Sequence, residues 1–463
     1  MVDNRCDPPS DRVGGGRPAG AMVTAVAILC LAACPALAKY SGGSGTPDDP
    51  YQINTLRDLL SLATAPNDWG GHFRLTDDID MAEAPRDAAC VIGDELMPFR
   101  GTFDGAGRSI LHFTCATTGR DRVGFFGHIR GSQAEVRDLC LIDPNVDGGT
   151  GTGIGALVGH LGTGTVTGCR VEGARVRGAM AVGGLVGWTY ATIRGCTAEA
   201  QVVGNYSVGG LVGVCAPDAD IRDCSADASV TGINRVGGLV GGATLATIHW
   251  SSAAGRASGS WNVGGLVGIS EGAAIDNCYA RTCVTGSSPV AGLVAYSGFS
   301  CDCSTRLPSV IRCCYSTGRV VGDADAGGLI AYNEPDCTVD QCFWDTQTSG
   351  VTTSAEGTAL TTGELQMRQT FAVAWWDFTP KPDSGDYWVI RCEPQYPRPA
   401  WQMLDGDLDS DGDVDLCDFS ALALSWSQPA ASFETGGADL TGDEYVDTQD
   451  LLALCRNWLA RNP

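Results

Sequence analysis

The hexapeptide VGGLVG occupies Val182–Gly187, Val208–Gly213, Val236–Gly241 and Val263–Gly268, unchanged in all four places. Looser copies stand at Ile154–Gly159 (IGALVG), Val290–Ala295 (VAGLVA), Ala326–Ala331 (AGGLIA) and, in degenerate form, Val123–Gly127 (VGFFG). The central leucine falls at positions 157, 185, 211, 239, 266, 293 and 329, so the gaps are 28, 26, 28, 27, 27 and 36 residues. A period of this length indicates stacked units, none of which can bury its apolar face alone.

Two further elements keep the same period. An Ile or Val followed three residues later by Cys occurs at Val166/Cys169, Ile193/Cys196, Ile221/Cys224, Ile275/Cys278, Ile311/Cys314 and Val339/Cys342. In one copy Ser251 replaces the Cys after Ile248. A V-x-G element follows at Val202/Gly204, Val230/Gly232, Val284/Gly286 and Val320/Gly322. Each unit therefore contains three short β-type runs, and no run is long enough for a helix.

This pattern predicts an all-β fold, a β-solenoid (β-helix) with coils of about 27 residues and three short strands per coil. Each leucine is expected to stack on the leucine of the next coil, and each Cys on the next Cys as a small buried apolar residue. Equivalent atoms of stacked strands lie about 4.8 Å apart, which does not favour regular disulfides. We expect disulfides instead in the insertion of the 36-residue gap, with Cys301 and Cys303 and the nearby Cys283, Cys313 and Cys337.

The period and the VGGLVG core, preceded by I-x-x-C-[YST]-A, resemble the GLUG repeat of bacterial surface and secreted proteins. The resemblance covers about Val123 to Gly350. It implies a β-solenoid, and in some surface proteins a passenger role beside a protease domain. It implies no catalysis by the repeat itself.

The flanks extend the same picture. Gly42–Ile53, Phe73–Met81 and Gly101–Ile110 resemble opening coils, and Leu56–Ala63 is the expected N-terminal helix, which could cap the core. A Trp-rich tail follows the last coil and is interpreted as a C-terminal cap, with a sugar-stacking platform as the alternative. The predicted domains are a signal peptide (1–38), opening coils (39–122), the GLUG-repeat solenoid (123–350), a Trp-rich cap or linker (351–401) and a calcium-binding domain (402–463).

The N-terminus is typical of an export signal. Arg12 and Arg17 precede the apolar run Ala21–Cys34, and Ala36–Ala38 is an A-x-A cleavage site. The run is too short to span a bilayer comfortably, and no second apolar run of spanning length follows. Either Met1 or Met22 could be the true start, and a lipoprotein signal at Cys34 is the alternative to plain cleavage. The sequence thus predicts a secreted or cell-surface protein.

Composition narrows the possible partners. The chain has 63 glycines, only 18% charged residues and a net charge of −24. This acidity argues against nucleic acid and anionic membrane surfaces. The 63 residues from Trp401 to Pro463 contain 13 Asp and Glu against 2 Arg, a net charge of −11, which suggests cation binding.

Two loops in this acidic region have the spacing of calcium sites. In Asp407–Asp418, loop positions 1, 3, 5, 7, 9 and 12 are Asp407, Asp409, Asp411, Asp413, Asp415 and Asp418. Ca²⁺ takes six to eight oxygen ligands, and this spacing wraps them around one ion. Gly412 allows the sharp turn, Asp413 offers its carbonyl, and Asp418 closes the site from the following helix.

The second loop, Asp439–Asp450, repeats the pattern 32 residues later. Its candidate ligands are Asp439, Thr441, Asp443, Tyr445 (through its carbonyl), Asp447 and Asp450. Thr441 carries no charge, and Glu444 stands where glycine is expected. The sequence therefore predicts two Ca²⁺ sites, the second weaker.

A duplicated loop-plus-helix module at a C-terminus resembles a type I dockerin, a small α-helical domain of EF-hand-like halves. The resemblance covers about Gly406 to Leu459. It implies Ca²⁺-dependent folding and docking to a cohesin module on a scaffold or cell surface. In that family, loop positions 10 and 11 help to choose the partner. Here they are Leu416-Cys417 and Thr448-Gln449, unlike the usual Ser/Thr pairs, and Cys417 and Cys455 could form a bridge.

No catalytic site is predicted. H-E-x-x-H is missing from the sequence, and no G-x-S-x-G nucleophile elbow is predicted. The clustered carboxylates Asp77, Asp78, Asp80 and Asp104 are interpreted as strand ends and turn caps rather than an acid–base pair. His128 and His160 follow the glycine motif in successive coils and are expected on one surface, where a metal site is the less favoured alternative.

The leading functional prediction is a non-catalytic β-solenoid in surface assembly, adhesion or glycan contact, attached through the dockerin-like module. The alternative is a polysaccharide lyase or glycoside hydrolase, or its carbohydrate-binding subunit, on a β-helix scaffold. A passive spacer is a third possibility. The expected partners are a cohesin-like or cell-surface protein and a glycan.

Overall fold

The computed structural model describes residues 39–84, 91–300, 306–323, 325–379, 386–390, 394–403, 406–408, 414–424, 426, 438, 440, 445–456 and 458. The predicted signal peptide therefore lies outside the described residues. So do Cys301 and Cys303. From Lys39 onward the described chain belongs to one compact unit.

The chain winds into a stack of parallel strands, a β-solenoid of about nine turns. The opening turns contain β1 (Tyr51–Ile53), β2 (His72–Leu75), β3 (Ile79–Asp80), β4 (Thr102–Leu111), β5 (Thr114–Ala116), β6 (Phe126–Ile142) and β7 (Asn145–Asp147). The next coils contain β8 (Thr152–Gly155), β9 (Val158–Thr167), β10 (Arg170–Arg177), β11 (Met180–Gly183), β12 (Val186–Thr189), β13 (Thr192–Arg194), β14 (Thr197–Val203), β15 (Tyr206–Gly209), β16 (Val212–Cys215), β17 (Asp220–Arg222), β18 (Ser225–Thr231), β19 (Asn234–Gly237) and β20 (Val240–Thr244).

The later coils continue the order with β21 (Thr247–His249), β22 (Ser252–Ser258), β23 (Trp261–Gly264), β24 (Val267–Glu271), β25 (Ala274–Asp276), β26 (Tyr279–Ala280), β27 (Cys283–Gly286), β28 (Val290–Ala291), β29 (Val294–Gly298), β30 (Val310–Arg312), β31 (Tyr315–Ser316), β32 (Val320–Gly322), β33 (Ala326–Gly327), β34 (Ile330–Asn333), β35 (Thr338–Asp340) and β36 (Phe343–Asp345). One strand per coil, from β8 to β33, forms a seven-stranded sheet, and the others join a 30-stranded sheet that follows the coil around.

The central coils, β11–β14, β15–β18 and β19–β22, contain four strands each where the sequence predicted three. VGGLVG was taken as one run, but in the central coil it divides between β15 and β16, with a bend at Gly210 and Leu211. The bend brings successive backbones close together, since a Cβ on Gly210 would lie 2.1 Å from the carbonyl oxygen of Gly238. A residue without a side chain is therefore used where the coil turns its corner.

Leucine and cysteine ladders run through the core as predicted. All seven leucines of the motif are fully buried. The first six each donate their N–H to the leucine carbonyl of the next coil at 2.9–3.1 Å, and the N–H of Leu329 donates to Ser354 Oγ at 3.3 Å. The ladder cysteines are buried thiols. The expectation of disulfides in the insertion is wrong for Cys283, Cys313 and Cys337, which hold free thiols.

The N-terminal helix α1 spans Leu56–Ala63, as predicted, and buries Leu59 and Leu62 against the core. After β36 the chain continues with α2 (Thr346–Ser349), β37 (Thr358–Leu360), α3 (Thr362–Leu365), α4 (Arg368–Val373), β38 (Trp388–Val389), β39 (Arg398–Pro399), α5 (Leu416–Leu424) and α6 (Thr448–Arg456). Two single 3₁₀ turns lie at Pro66–Asp68 and Ala400–Gln402.

The Trp-rich tail makes two different contacts. Strand β37 pairs in parallel with β36 and adds to the end of the stack. The residues after it run back along one side of the solenoid, where Trp376 and Trp388 pack on a column formed by Trp250, Tyr279, Tyr315 and Phe343. No helix within the described residues is both long enough and apolar enough to cross a membrane.

Candidate functional site

The two C-terminal loops have matching geometry around their last residue. The carboxylate of Asp418 is fully buried and accepts hydrogen bonds from the backbone N–H of Leu408 and, at 2.7 Å, of Asp415. In the second loop the carboxylate of Asp450 is equally buried and accepts from the N–H of Leu440 at 2.7 Å and of Asp447 at 2.8 Å. Position 12 thus bonds to positions 2 and 9 in both loops.

The residue at position 9 immediately precedes the helix that follows each loop. Asp415 accepts from the N–H of Cys417 at 2.7 Å, and Asp447 accepts from the N–H of Gln449 at the same distance. A carboxylate that accepts a hydrogen bond from a free N–H of the first helical turn stabilises the start of the helix. At the described positions 2, 9 and 12, the two halves therefore make equivalent hydrogen bonds.

A small core joins the halves. Val414 and Val446, both at position 8, are buried together with Leu422 and Leu454, which lie four residues after position 12. Leu408 and Ala438 complete the buried set. Val414 and Val446 are 32 residues apart, and so are Leu422 and Leu454. Equivalent residues of the two halves therefore share one core.

The predicted ligands are only partly within the described residues. Asp407 is fully buried, Asp415 and Asp447 are half-buried, and Tyr445 is exposed. The other six, which are Asp409, Asp411, Asp413, Asp439, Thr441 and Asp443, lie outside the described residues. Among the described residues, no three His, Cys, Asp or Glu side chains gather as a metal site. The donor chemistry, carboxylate and carbonyl oxygen alone, fits a hard cation such as Ca²⁺.

The remaining clustered carboxylates organise turns. Asp104 accepts from the N–H of Ala106 at 2.8 Å and pairs with Arg137 at 3.1 Å. Asp78 accepts from the N–H of Ser109 at 2.7 Å, and Asp80 contacts His112 at 2.8 Å. These carboxylates act in the turns as the sequence indicated.

An open cavity of about 420 Å³ lies on the surface of the first repeat coils. We call it the aromatic cavity; it is lined by Asp94, Glu95, Arg120, Asp121, Arg122, Thr152, Gly153, His160, Trp188 and Tyr190. The ring centroids of His128 and His160 are 4.8 Å apart, and the rings of Trp188 and Tyr190 are nearly parallel, at 15°, with centroids 6.3 Å apart.

The sequence placed His128 and His160 on one surface but missed Trp188 and Tyr190. Its one signal was an aromatic residue after VGGLVG, where the next two coils have Val214 and Gly242. Burial lowers the pKa of His160 to about 4, so its ring is neutral near pH 7. Burial also lowers the pKa of His128.

Several of the repeat coils match a known motif. The model of the GLUG motif matches residues 178–203, 204–231 and 259–281. The chain carries GLUG motifs. The chain is also similar to halomucin of Haloquadratum walsbyi, at 32% identity over 164 residues, which is 33% of this chain and 2% of halomucin. A proposed Gly-rich membrane protein of Evansella cellulosilytica is 34% identical over 125 residues, 26% of this chain and 14% of that protein.

The chain thus spans only a small part of the relatives it matches. Among solved structures, a proposed immunoglobulin A1 protease from Bacteroides ovatus superposes with a TM-score of 0.44 and 22% identity, covering 79% of this chain and 96% of that one. The parallel stacking of the strands and the leucine ladder, both described above, define the β-solenoid.

Proposed function

We propose that this chain is an exported, non-catalytic β-solenoid surface protein, attached through a C-terminal module that binds two Ca²⁺ ions. The observation that carries the proposal is the matched pair of buried carboxylates, Asp418 and Asp450, each held by N–H groups from positions 2 and 9. Such hydrogen bonds fix the carboxylates toward the loop before any ion arrives. When bound, Ca²⁺ would supply the positive charge that these acidic loops lack.

The surface location draws on the comparisons. GLUG motifs recur here, and the similar proteins include halomucin and a proposed membrane protein. Both are far longer than the matched segment, so their roles come to this chain only as support for a proposal. A solenoid built from such coils suits display because it extends by adding equivalent units.

The attachment partner is proposed to be a cohesin-like or other cell-surface protein that contacts α5 and α6. Leu416 is 68% exposed and Leu424 is 87% exposed on α5, while Leu452 is 56% exposed on α6. Exposed apolar side chains at this density are typical of a protein contact. Surface plasmon resonance with an immobilised cohesin module, in Ca²⁺ and in EDTA, tests the partnership. Equal signals in both conditions, or no signal, would overturn it.

Isothermal titration calorimetry of the full chain, freed of metal, tests calcium binding. We expect two Ca²⁺ ions, the weaker at Asp439–Asp450. Asp418→Asn should remove the stronger event and Asp450→Asn the weaker one, because each substitution removes a charged ligand at position 12. The matched control, Glu356→Gln, changes an exposed carboxylate elsewhere and should leave both events intact.

A measurement on the unaltered chain guards against variants that fail to fold. Hydrogen exchange across residues 406–458 should slow when Ca²⁺ is added, since ion binding stabilises the folded module. No heat of Ca²⁺ binding together with unchanged exchange contradicts the proposal. Release of reducing or unsaturated ends from polysaccharides, abolished by a carboxylate substitution, would instead favour the enzyme alternative.

A further inference from the structure

The aromatic cavity contains features that the solenoid itself does not require. Trp188 pairs in register with His160 on one side and Val214 on the other, and Val214 pairs with Gly242. The same column continues through Ile269, Tyr296 and Tyr332, so it accepts aliphatic and aromatic side chains alike. Because Gly242 holds an equivalent position, the stack does not require an indole at Trp188.

The two rings offer a binding surface of defined shape. Tyr190 is 43% exposed and lies nearly parallel to Trp188. The residues two positions after Val214 and Gly242 are Ala216 and Thr244, so Tyr190 is also specific to this coil. Parallel aromatic faces at a cavity wall favour flat apolar ligand faces.

Two ring nitrogens of residues that line the cavity have unused hydrogen-bonding capacity. Trp188 Nε1 and His160 Nδ1 are buried and have no hydrogen-bond partner within the described part of the chain. Unmade hydrogen bonds at buried groups are costly, so a ligand that supplies partners gains affinity there. The volume of about 420 Å³ falls in the ordinary range for small-ligand sites.

The charges at the rim disfavour anions. Asp94, Glu95 and Asp121 give −3, and Arg120 and Arg122 give +2, so the lining carries a formal charge of −1. The Arg122 guanidinium is already paired with Glu95 at 2.7 Å. An anionic ligand would therefore meet net repulsion, whereas carboxylates and guanidinium groups can both bond to neutral hydroxyls.

We propose that the aromatic cavity binds one or two neutral pyranose units of an oligosaccharide. The apolar face of the sugar ring stacks on Trp188 and Tyr190. A ring or hydroxyl oxygen accepts a hydrogen bond from Trp188 Nε1, and sugar hydroxyls donate to the rim carboxylates. The inference deepens the surface role proposed above, but the cavity does not depend on the C-terminal calcium module.

Saturation-transfer-difference NMR on the full chain tests the proposal, with the neutral oligosaccharides cellohexaose, xylohexaose, maltohexaose, mannohexaose and laminarihexaose as probes and hexagalacturonate as the anionic comparison. At least one neutral probe should bind, and hexagalacturonate more weakly. Trp188→Ala and Tyr190→Ala should each weaken that binding about tenfold or more, which corresponds to ~1.4 kcal/mol. Trp188→Phe keeps a ring face but loses the N–H, so its loss should be smaller.

The matched control is Trp261→Ala, which removes a 53% exposed indole from another sheet outside the cavity and should change nothing. Folding of Trp188→Ala is expected because Val214 and Gly242 hold the equivalent positions, and a thermal melt verifies it. Equal binding in Ca²⁺ and EDTA separates this site from the attachment module. The proposal is overturned if no neutral probe binds, if Trp188→Ala binds as the unaltered chain does, or if hexagalacturonate binds most tightly.

Discussion

At the scale of single residues, the cysteine ladder is a hydrogen-bonding device as well as an apolar one. The Sγ of Cys196 accepts from the N–H of Cys169 at 3.4 Å and donates to the carbonyl of Arg194 at 3.3 Å. Ser251 makes the same two bonds with oxygen, accepting from the N–H of Cys224 at 3.2 Å and donating to His249 at 2.9 Å. The ladder position therefore needs a small side chain that both donates and accepts, which explains why Ser251 can replace Cys in one coil.

Two substitutions at Ser251 should have different effects on stability. Ser251→Ala leaves the buried N–H of Cys224 without its acceptor and should lower the free energy of unfolding by roughly 1–3 kcal/mol. Ser251→Cys restores the ladder found in the other coils and should be nearly neutral. Urea denaturation followed by circular dichroism measures both. Equal stability of the two variants would show that the bond to Cys224 contributes little.

The thiols of the ladder should also be chemically inert. Burial raises the pKa of Cys196, Cys314 and Cys342 well above the ordinary thiol value, so little thiolate forms near pH 7. Cys283 and Cys455 are exposed and lie outside the ladder.

Spacing alone identified the ladder. It could not identify the free state of the thiols in the insertion, because pairing depends on side-chain directions that sequence does not give.

At the scale of elements, helix α1 shows how much local sequence can specify. Thr55 and Asp58 form a capping box: the Thr55 hydroxyl accepts from the N–H of Asp58, and the Asp58 carboxylate accepts from the N–H of Thr55 at 3.0 Å. Asp58 also accepts from Ser41 Oγ at 2.7 Å and from the N–H of Asn54 at 3.1 Å. The helix was predicted from the stretch Leu56–Ala63 itself, and the capping box explains why it begins at Leu56.

Loss of the Asp58 carboxylate should therefore loosen the N-terminal end of the solenoid. Asp58→Ala removes the acceptor of four hydrogen-bond donors of the segment 41–55. We expect a local destabilisation of roughly 1–3 kcal/mol. Hydrogen exchange should become faster in residues 54–63 and stay unchanged in the central coils. Asp48→Ala, at an exposed carboxylate of the same segment, is the control. Unchanged exchange in α1 would show that core packing alone holds the helix.

The glycine motif shows where local sequence falls short. VGGLVG is apolar throughout, and such a run gives no periodicity that would locate a bend. The corner at Gly210 is set by the approach of the next coil, because the carbonyl of Gly238 leaves no room for a side chain. Strand number per coil thus depends on contacts between repeats. The ligand spacing of the C-terminal loops, by contrast, is contained within each 12-residue segment, and calcium binding there stays a prediction.

At the scale of the whole molecule, the Trp-rich tail ties separate coils together. A solenoid coil ordinarily contacts only its neighbours, so stability is close to a sum of local terms. The tail crosses several coils: the indole N–H groups of Trp376, Trp388 and Trp401 donate to Gln341, Asn277 and Trp250, respectively. The path of the tail could not be predicted from sequence. The aromatic residues beneath it lie on different coils and are 27 or more residues apart in the chain.

Trp388 should consequently act as a clamp on the C-terminal coils. Its ring is 1% exposed and lies 4.6 Å from the ring of Trp376 and 5.6 Å from that of Trp250, measured between centroids. Trp388→Ala leaves a large void there, and we expect a loss of roughly 3–5 kcal/mol. Hydrogen exchange should become faster together in residues 247–345, while residues 102–215 keep their protection. Trp375→Ala is the matched control because Trp375 is 85% exposed and should shift stability by less than about 0.5 kcal/mol. If Trp388→Ala accelerates exchange only in the tail, the coils are held by their ladders alone and the tail does not clamp them.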